Sequence, residues 1–104
     1  MSFSEDVQNS IFSRKYLLEE FGTQLARPLV DTLKGSEFAN MKELRFSVGN
    51  EVWRVAIAFD PERKAILLVG GDKRGKNQKQ FYKRLIKIAD ERFLGHLNNL
   101  QKDK

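Results

Sequence analysis

The chain has 104 residues and no cysteine, and its 19 Lys+Arg against 14 Asp+Glu give a formal net charge of +5. That length supports one domain with one core, and the missing thiols exclude disulfides, thiolate zinc sites and cysteine nucleophiles. One histidine, His96, cannot supply a histidine cluster for a metal or a triad of the usual kind.

The charge is unevenly placed. Residues 1–43 hold 5 Lys+Arg against 7 Asp+Glu, whereas residues 63–104 hold 12 against 4. A clustered basic half is the footprint of a polyanion binder, or else a lysine-rich helix face turned to water. No apolar run has the length of a signal peptide or a membrane span, so the expectation is a cytoplasmic protein with no membrane partner.

In chain order, Ser4 is an N-cap, and a helix follows to about Glu20 with Glu5 and Asp6 in its first turn. Val7, Ile11 and Leu18, with Phe12 and Tyr16 beside them, form its apolar stripe. Gly22 supplies the positive-φ stop. Arg27-Pro28 predicts a second, short helix through Lys34, ended by Gly35.

Met41 to Gly75 reads as three strands and two turns. Trp53, Val55, Ile57 and Phe59 alternate with Val52, Arg54, Ala56 and Ala58, the period of a strand. Val48-Gly49-Asn50 and Asp60-Pro61-Glu62-Arg63 are turns. Ala65 to Val69 is apolar throughout, as in a strand covered on both faces. A basic loop, Gly70 to Lys76, follows. Asn77 then caps a final helix to about Leu100, with Tyr82, Ile86, Ala89, Phe93, Leu97 and Leu100 on one stripe. The order predicts an α+β fold: N-terminal helices, a three- to four-stranded antiparallel meander sheet and a C-terminal helix.

The loop Gly70-Gly71-Asp72-Lys73-Arg74-Gly75 lacks the spacing of a phosphate-binding loop. What remains is a basic site without histidine: Arg54 and Arg45 on neighbouring strands, Lys73 and Arg74 in the loop, and Tyr82 opening the last helix. Guanidinium forks match phosphate oxygens, so a phosphodiester is the natural ligand. A solvated strand arginine and a core tyrosine are the plainer readings of Arg54 and Tyr82.

The blocks LARPLVDTLKGSEFANMKELRF, VWRVAIAFDP, AILLVGGDKRG and KQFYKRLIKIADERFLGHL resemble, in order, those of HigB-like toxins, the phage-related branch of the RelE/ParE superfamily. The resemblance runs from about Leu17 to Leu97. It implies one RelE-like, microbial-RNase-like domain over residues 1–104, acting without cofactor or metal as a ribosome-dependent mRNA endonuclease. It also implies partners: a cognate antitoxin, often of helix-turn-helix type, and mRNA on the ribosome.

Carried onto this chain, the resemblance makes Arg54 the strand arginine at the scissile phosphate. Lys73 or Arg74 becomes the basic residue after the last strand, and Tyr82 (or Phe81) the aromatic position near the C-terminus. Lys42, Arg45, Lys76, Lys79 and Lys83 would bind RNA. The implied reaction is attack of a 2′-OH on the adjacent phosphorus. Arg54 and Arg74 would stabilise charge, and Lys73 or Tyr82 would act as acid or base with a pKa lowered by the cationic surroundings.

The chain departs from the family pattern at Met41 and Glu43, where some relatives alternate two lysines, and in lacking the particular His and Asp that some HigB toxins use near the C-terminus. The strand that usually opens the family is also not evident. A bare sheet edge would then be filled by a second copy or an antitoxin segment, or the true start lies upstream. A ParE-like gyrase inhibitor and a non-catalytic nucleic-acid-binding regulatory domain are the other readings.

Overall fold

The computed structural model describes residues 3–25 and 30–102. Its elements are α1 (Glu5–Leu25), β1 (Val30–Thr32), β2 (Met41–Val48), β3 (Glu51–Phe59), β4 (Ala65–Asp72) and α2 (Gln78–Lys102), and the sheet is antiparallel in the order β1-β2-β3-β4. This is the α+β fold expected from the sequence.

A helix leaves its first amides unpartnered, and both helices begin on a side chain that accepts from one of them. Ser4 Oγ accepts from Val7 N–H at 3.3 Å, and Asn77 Oδ1 accepts from Gln80 N–H at 3.1 Å. Gly22, at φ 79° and ψ 174°, breaks the helical path of α1, close to the predicted stop.

Period-two alternation gives the sheet two different faces. On one, Leu44, Phe46, Val55, Ile57 and Ala65 meet Val7, Ile11 and Leu18 of α1. On the other, Met41, Ala56, Ala58 and Leu68 meet Leu85, Ala89 and Phe93 of α2. Val55 to Ala58 are therefore all buried, because β3 is covered on both sides.

Three readings are corrected. The short helix predicted through Lys34 is in part strand: Val30, Asp31 and Thr32 pair with Leu44, Glu43 and Lys42, while Arg27 and Pro28 lie outside the described residues. Pairing satisfies the outer backbone of β2, and Val30 joins the α1 core, which outweighs any local helical tendency of so short a segment. Phe12 and Tyr16 are each 60% exposed, since Val7, Ile11 and Leu18 alone span the contact with the sheet. Gly70, Gly71 and Asp72 belong to β4 rather than to a loop.

Two turns fix the meander. Gly49, at φ 58°, makes the tight β2–β3 connection, which calls for positive φ. At the β3–β4 turn the buried Asp60 accepts from the Glu62 and Lys64 amides through Oδ1, each at 2.9 Å, and lies 2.9 Å from His96 Nε2 through Oδ2. Burial alone would raise the Asp60 pKa, but the His96 contact and the backbone donors outweigh it and hold the carboxyl below its usual range. His96 is thus half-buried and ties the end of α2 to the β3–β4 turn.

Candidate active site

Two arginines placed opposite each other across a ladder repel unless something compensates. Arg45 on β2 and Arg54 on β3 are direct cross-strand partners, on the face covered by α2. Compensation is one-sided. Arg45 Nε donates to Glu43 Oε1 at 2.7 Å, and its Nη2 lies 3.4 Å from Asp31 Oδ2. The Glu43 hydrogen bond, reinforced by the charges of Glu43 and Asp31, raises the Arg45 pKa. Arg54 has no carboxylate partner among the described residues: its Nε donates to Tyr82 Oη at 3.2 Å and its Nη1 to the Trp53 carbonyl at 2.8 Å. Those neutral acceptors leave its positive charge unneutralised.

The alternation that buries Met41 brings Glu43 and Arg45 to the same face. Asp31 stands opposite Glu43 on β1, and Gly71 opposite Arg54 on β4. The result is a polar row across the sheet, Asp31–Glu43–Arg45–Arg54, closed by Tyr82 from the first turns of α2. A Cβ on Gly71 would come within 3.1 Å of Phe81 Cε2. Bare backbone at that point lets the start of α2 settle on the sheet and bring Tyr82 to Arg54. Phe81 and Tyr82 pack edge to face at 5.5 Å.

Glu43 is 2% exposed, and its Oε2 has no hydrogen-bond partner. A buried carboxylate calls for a cation against it, and the Arg45 guanidinium supplies one. Burial, then the Glu43 charge, raises the Tyr82 pKa, and the Arg54 hydrogen bond only partly opposes them. The expectation that a cationic site would lower it is therefore corrected: the nearby carboxylate and the burial prevail. The Tyr82 hydroxyl therefore keeps its proton more tightly than an ordinary tyrosine does.

The structure joins Arg54, Arg45 and Tyr82 by register and hydrogen bond, and among the described residues no hydrogen bond or ion pair ties the other candidates to them. Lys73, half-buried, donates its backbone N–H to Val52 at 2.9 Å and follows β4 two residues after Gly71. Arg74 is exposed, and its guanidinium is engaged by Asp72 at 3.2 Å. Lys76 lies 5.8 Å from the Phe81 ring centroid. Lys79 and Lys83 are exposed along α2. Lys42 sits on the α1 side of β2 by alternation and donates to Thr32 Oγ1 at 3.1 Å, on the opposite face from the arginine pair.

Sequence reasoning missed Asp31 and undervalued Glu43. Asp31 lay inside the predicted helix, and Glu43 stood out only as a departure from a lysine pattern. A signal was present in both places: Glu43 shares its strand face with Arg45, and Val30-Asp31-Thr32 has a strand-like β-branched frame. Among the described residues no group of three His, Cys, Asp or Glu side chains is arranged to hold a metal ion.

A polar row of this kind on a small α+β sheet narrows the class of protein, and comparison by sequence supplies the family. The family described as Phage derived protein Gp49-like (DUF891) matches residues 1–94, and the chain belongs to it. Two proteins of Mycobacterium tuberculosis are similar to it. "Putative toxin HigB2" is 46% identical over 95 residues, covering 90% of this chain and 47% of that protein. "Putative toxin HigB3" is 47% identical over 91 residues, covering 88% of this chain and 77% of that protein. The chain thus spans about half the length of HigB2 and about three quarters of HigB3. No solved structure matches it. The resemblance to HigB-like toxins read from the sequence blocks is borne out.

Proposed function

We propose that the chain is the toxin of a type II toxin–antitoxin pair and cleaves mRNA on the ribosome by attack of a ribose 2′-OH on the adjacent phosphate. The observation that carries this reading is the Arg54 guanidinium, held by Tyr82 beside Arg45 and left without a carboxylate partner among the described residues. Two forks side by side suit the negative charge that grows on a phosphorane.

The proton transfers follow from the row. The 2′-oxygen forms a bond to phosphorus and loses its proton to Asp31, an exposed carboxylate beside Arg45. The bond from phosphorus to the 5′-oxygen breaks, and Tyr82 gives that oxygen its proton. In-line displacement needs base and acid on opposite sides of the phosphate. Asp31 on the edge strand and Tyr82 on α2 flank the arginine pair in that sense. The products are a 2′,3′-cyclic phosphate and a 5′-OH, and solvent returns the proton from Asp31 to Tyr82. Glu43, being buried, touches no substrate; it positions Arg45 and keeps Tyr82 protonated. Lys73 and the basic outer face of α2 add long-range attraction for RNA.

Induced expression in a bacterium, with and without Arg54→Ala, tests the reading. The parent chain should arrest growth and leave new 5′ ends within translated messages, and the variant should do neither. Growth arrest with intact messages and loss of gyrase supercoiling would favour a ParE-like inhibitor instead.

A further inference from the structure

Every apolar residue of β3 but one packs into or against a core. Trp53, Val55, Ile57 and Phe59 join the apolar set under α1, and Ala56 and Ala58 the set under α2. Val52 is half-buried yet joins neither set among the described residues. Alternation puts it on the face of Arg54, two residues or about 7 Å along the strand. It lies on the side of the polar row away from Ala56, Ala58 and the α2 core.

The cross-strand partner of Val52 on β2 is Ser47, which is exposed and shares the face of Arg45 by the same alternation. Towards β4 the Val52 backbone is fixed twice. Its N–H donates to Asp72 Oδ1 at 3.0 Å, and its carbonyl accepts from Lys73 N–H at 2.9 Å. Ser47, Val52 and Lys73 thus form a second row beside the Arg45–Arg54 pair. A hydroxyl, a stiff β-branched aliphatic side chain and an ammonium group follow one another across it.

We propose that this second row seats the nucleotide adjoining the scissile phosphate, and that Val52 and Ser47 set which base is accepted there. A base has apolar faces and polar edges, so its face lies on the Val52 methyls. The Ser47 hydroxyl, which both donates and accepts, meets its edge. Lys73 takes the next phosphate, a contact that positions the strand without reading its sequence. An acidic polypeptide would suit Lys73, but it offers no flat ring for Val52. The proposal rests on the RNA-cleaving reading and deepens it, by naming the residues that would give the cleavage a base preference.

The test uses the full chain with ¹³C-labelled valine methyls and the 2′-O-methyl trinucleotides ApApA, CpCpC, GpGpG and UpUpU, whose capped 2′-oxygens cannot attack. At least one should move the Val52 methyl signals upfield, as protons over a base ring move. The same trinucleotide without its central base should bind more weakly and leave those signals in place. Val52→Ala should weaken the binding about tenfold, the contact of two methyl groups. On ribosome-bound message, Val52→Ala and Ser47→Ala should each redistribute the cuts among neighbouring bases, whereas Arg54→Ala should lower every cut alike. Should Val52→Ala melt lower than the parent, Val52→Thr keeps the branched shape and serves instead. Four results overturn the proposal. They are Val52 methyls unmoved by all four trinucleotides at millimolar concentration, equal binding of the abasic form, and an unchanged cut distribution in both variants. The fourth is the same Val52 shift with hexaglutamate, which would indicate an acidic polypeptide. Trinucleotide binding at Val52 by a chain that neither arrests growth nor cleaves RNA would sink the toxin reading and leave the second row standing. Cleavage indifferent to Val52 and Ser47 would do the reverse, so the two failures are separable.

Discussion

The same three long strands present two faces that solve different problems. Under α1 the face is apolar where Val30, Leu44, Val55 and Ala65 meet the helix, and the cation laid over its Phe46 has no carboxylate partner among the described residues. Arg14 lies 5.0 Å over the Phe46 ring and donates to the Ser10 carbonyl at 3.1 Å, and burial lowers its pKa. Under α2 the face is apolar only where Met41, Ala58, Leu68 and Phe93 meet. Towards the start of α2 it becomes the row Asp31, Glu43, Arg45, Arg54 and Tyr82. One face is committed to cohesion, and the other gives up part of its apolar contact to hold like charges together. Stored repulsion of that kind is most useful where an anion will come to relieve it.

Substitutions sharpen the contrast. The largest effect is expected on the polar row: Arg54→Ala should lower RNA cleavage by about 10²–10³-fold with little change in melting temperature. Tyr82→Phe should cost about 10²-fold or more if the hydroxyl is the acid, again with the fold intact. The raised Tyr82 pKa sets the sign of a pH effect. The parent should keep its activity up to and beyond pH ~10, where an ordinary tyrosine ionises. Any stability drawn from the raised value is present below that pH and is lost as pH rises through the folded value.

On the apolar half of that face, Phe93→Ala should cost about 3–5 kcal/mol in chemical denaturation, as a core deletion does. Asp60→Ala removes the acceptor for two amides and His96 and should cost about 2–3 kcal/mol. Because the Asp60 pKa is lowered, its contribution is present above pH ~4 and is lost as pH falls through the folded value. The smallest effect should be that of Lys42→Ala. Its side chain sits on the α1 side of β2, so cleavage should match the parent; a loss like that of Arg54→Ala would mean the assignment of faces is wrong.

Much of this was written locally. The β2–β4 meander shows in period-two alternation and turn residues, and α2 in its cap and stripe, because each is set by residues close in sequence. β1 is different. Three residues are too few for any period to show, and what makes them a strand is the unpaired edge of Leu44, Glu43 and Lys42, contributed from a later segment. The same loss of context hid Asp31. Arg54 and Tyr82 were legible as a basic strand residue and an aromatic residue opening a helix. Their hydrogen bond, 28 residues apart in sequence, depends on Gly71 letting α2 down onto the sheet. The direction of the Tyr82 shift depended first on burial and then on Glu43, and only the folded register supplies either.

The central claim, that the α2 face cleaves RNA through its own 2′-hydroxyl, is tested most directly on ribosomes programmed with a message carrying one 2′-deoxy residue at the scissile position. The purified chain should cleave the all-ribose message to a 2′,3′-cyclic phosphate and a 5′-OH, and should leave the deoxy-substituted message uncut at that position. Cleavage of the deoxy message at the same place, or products ending in 3′-OH and 5′-phosphate, would contradict the account.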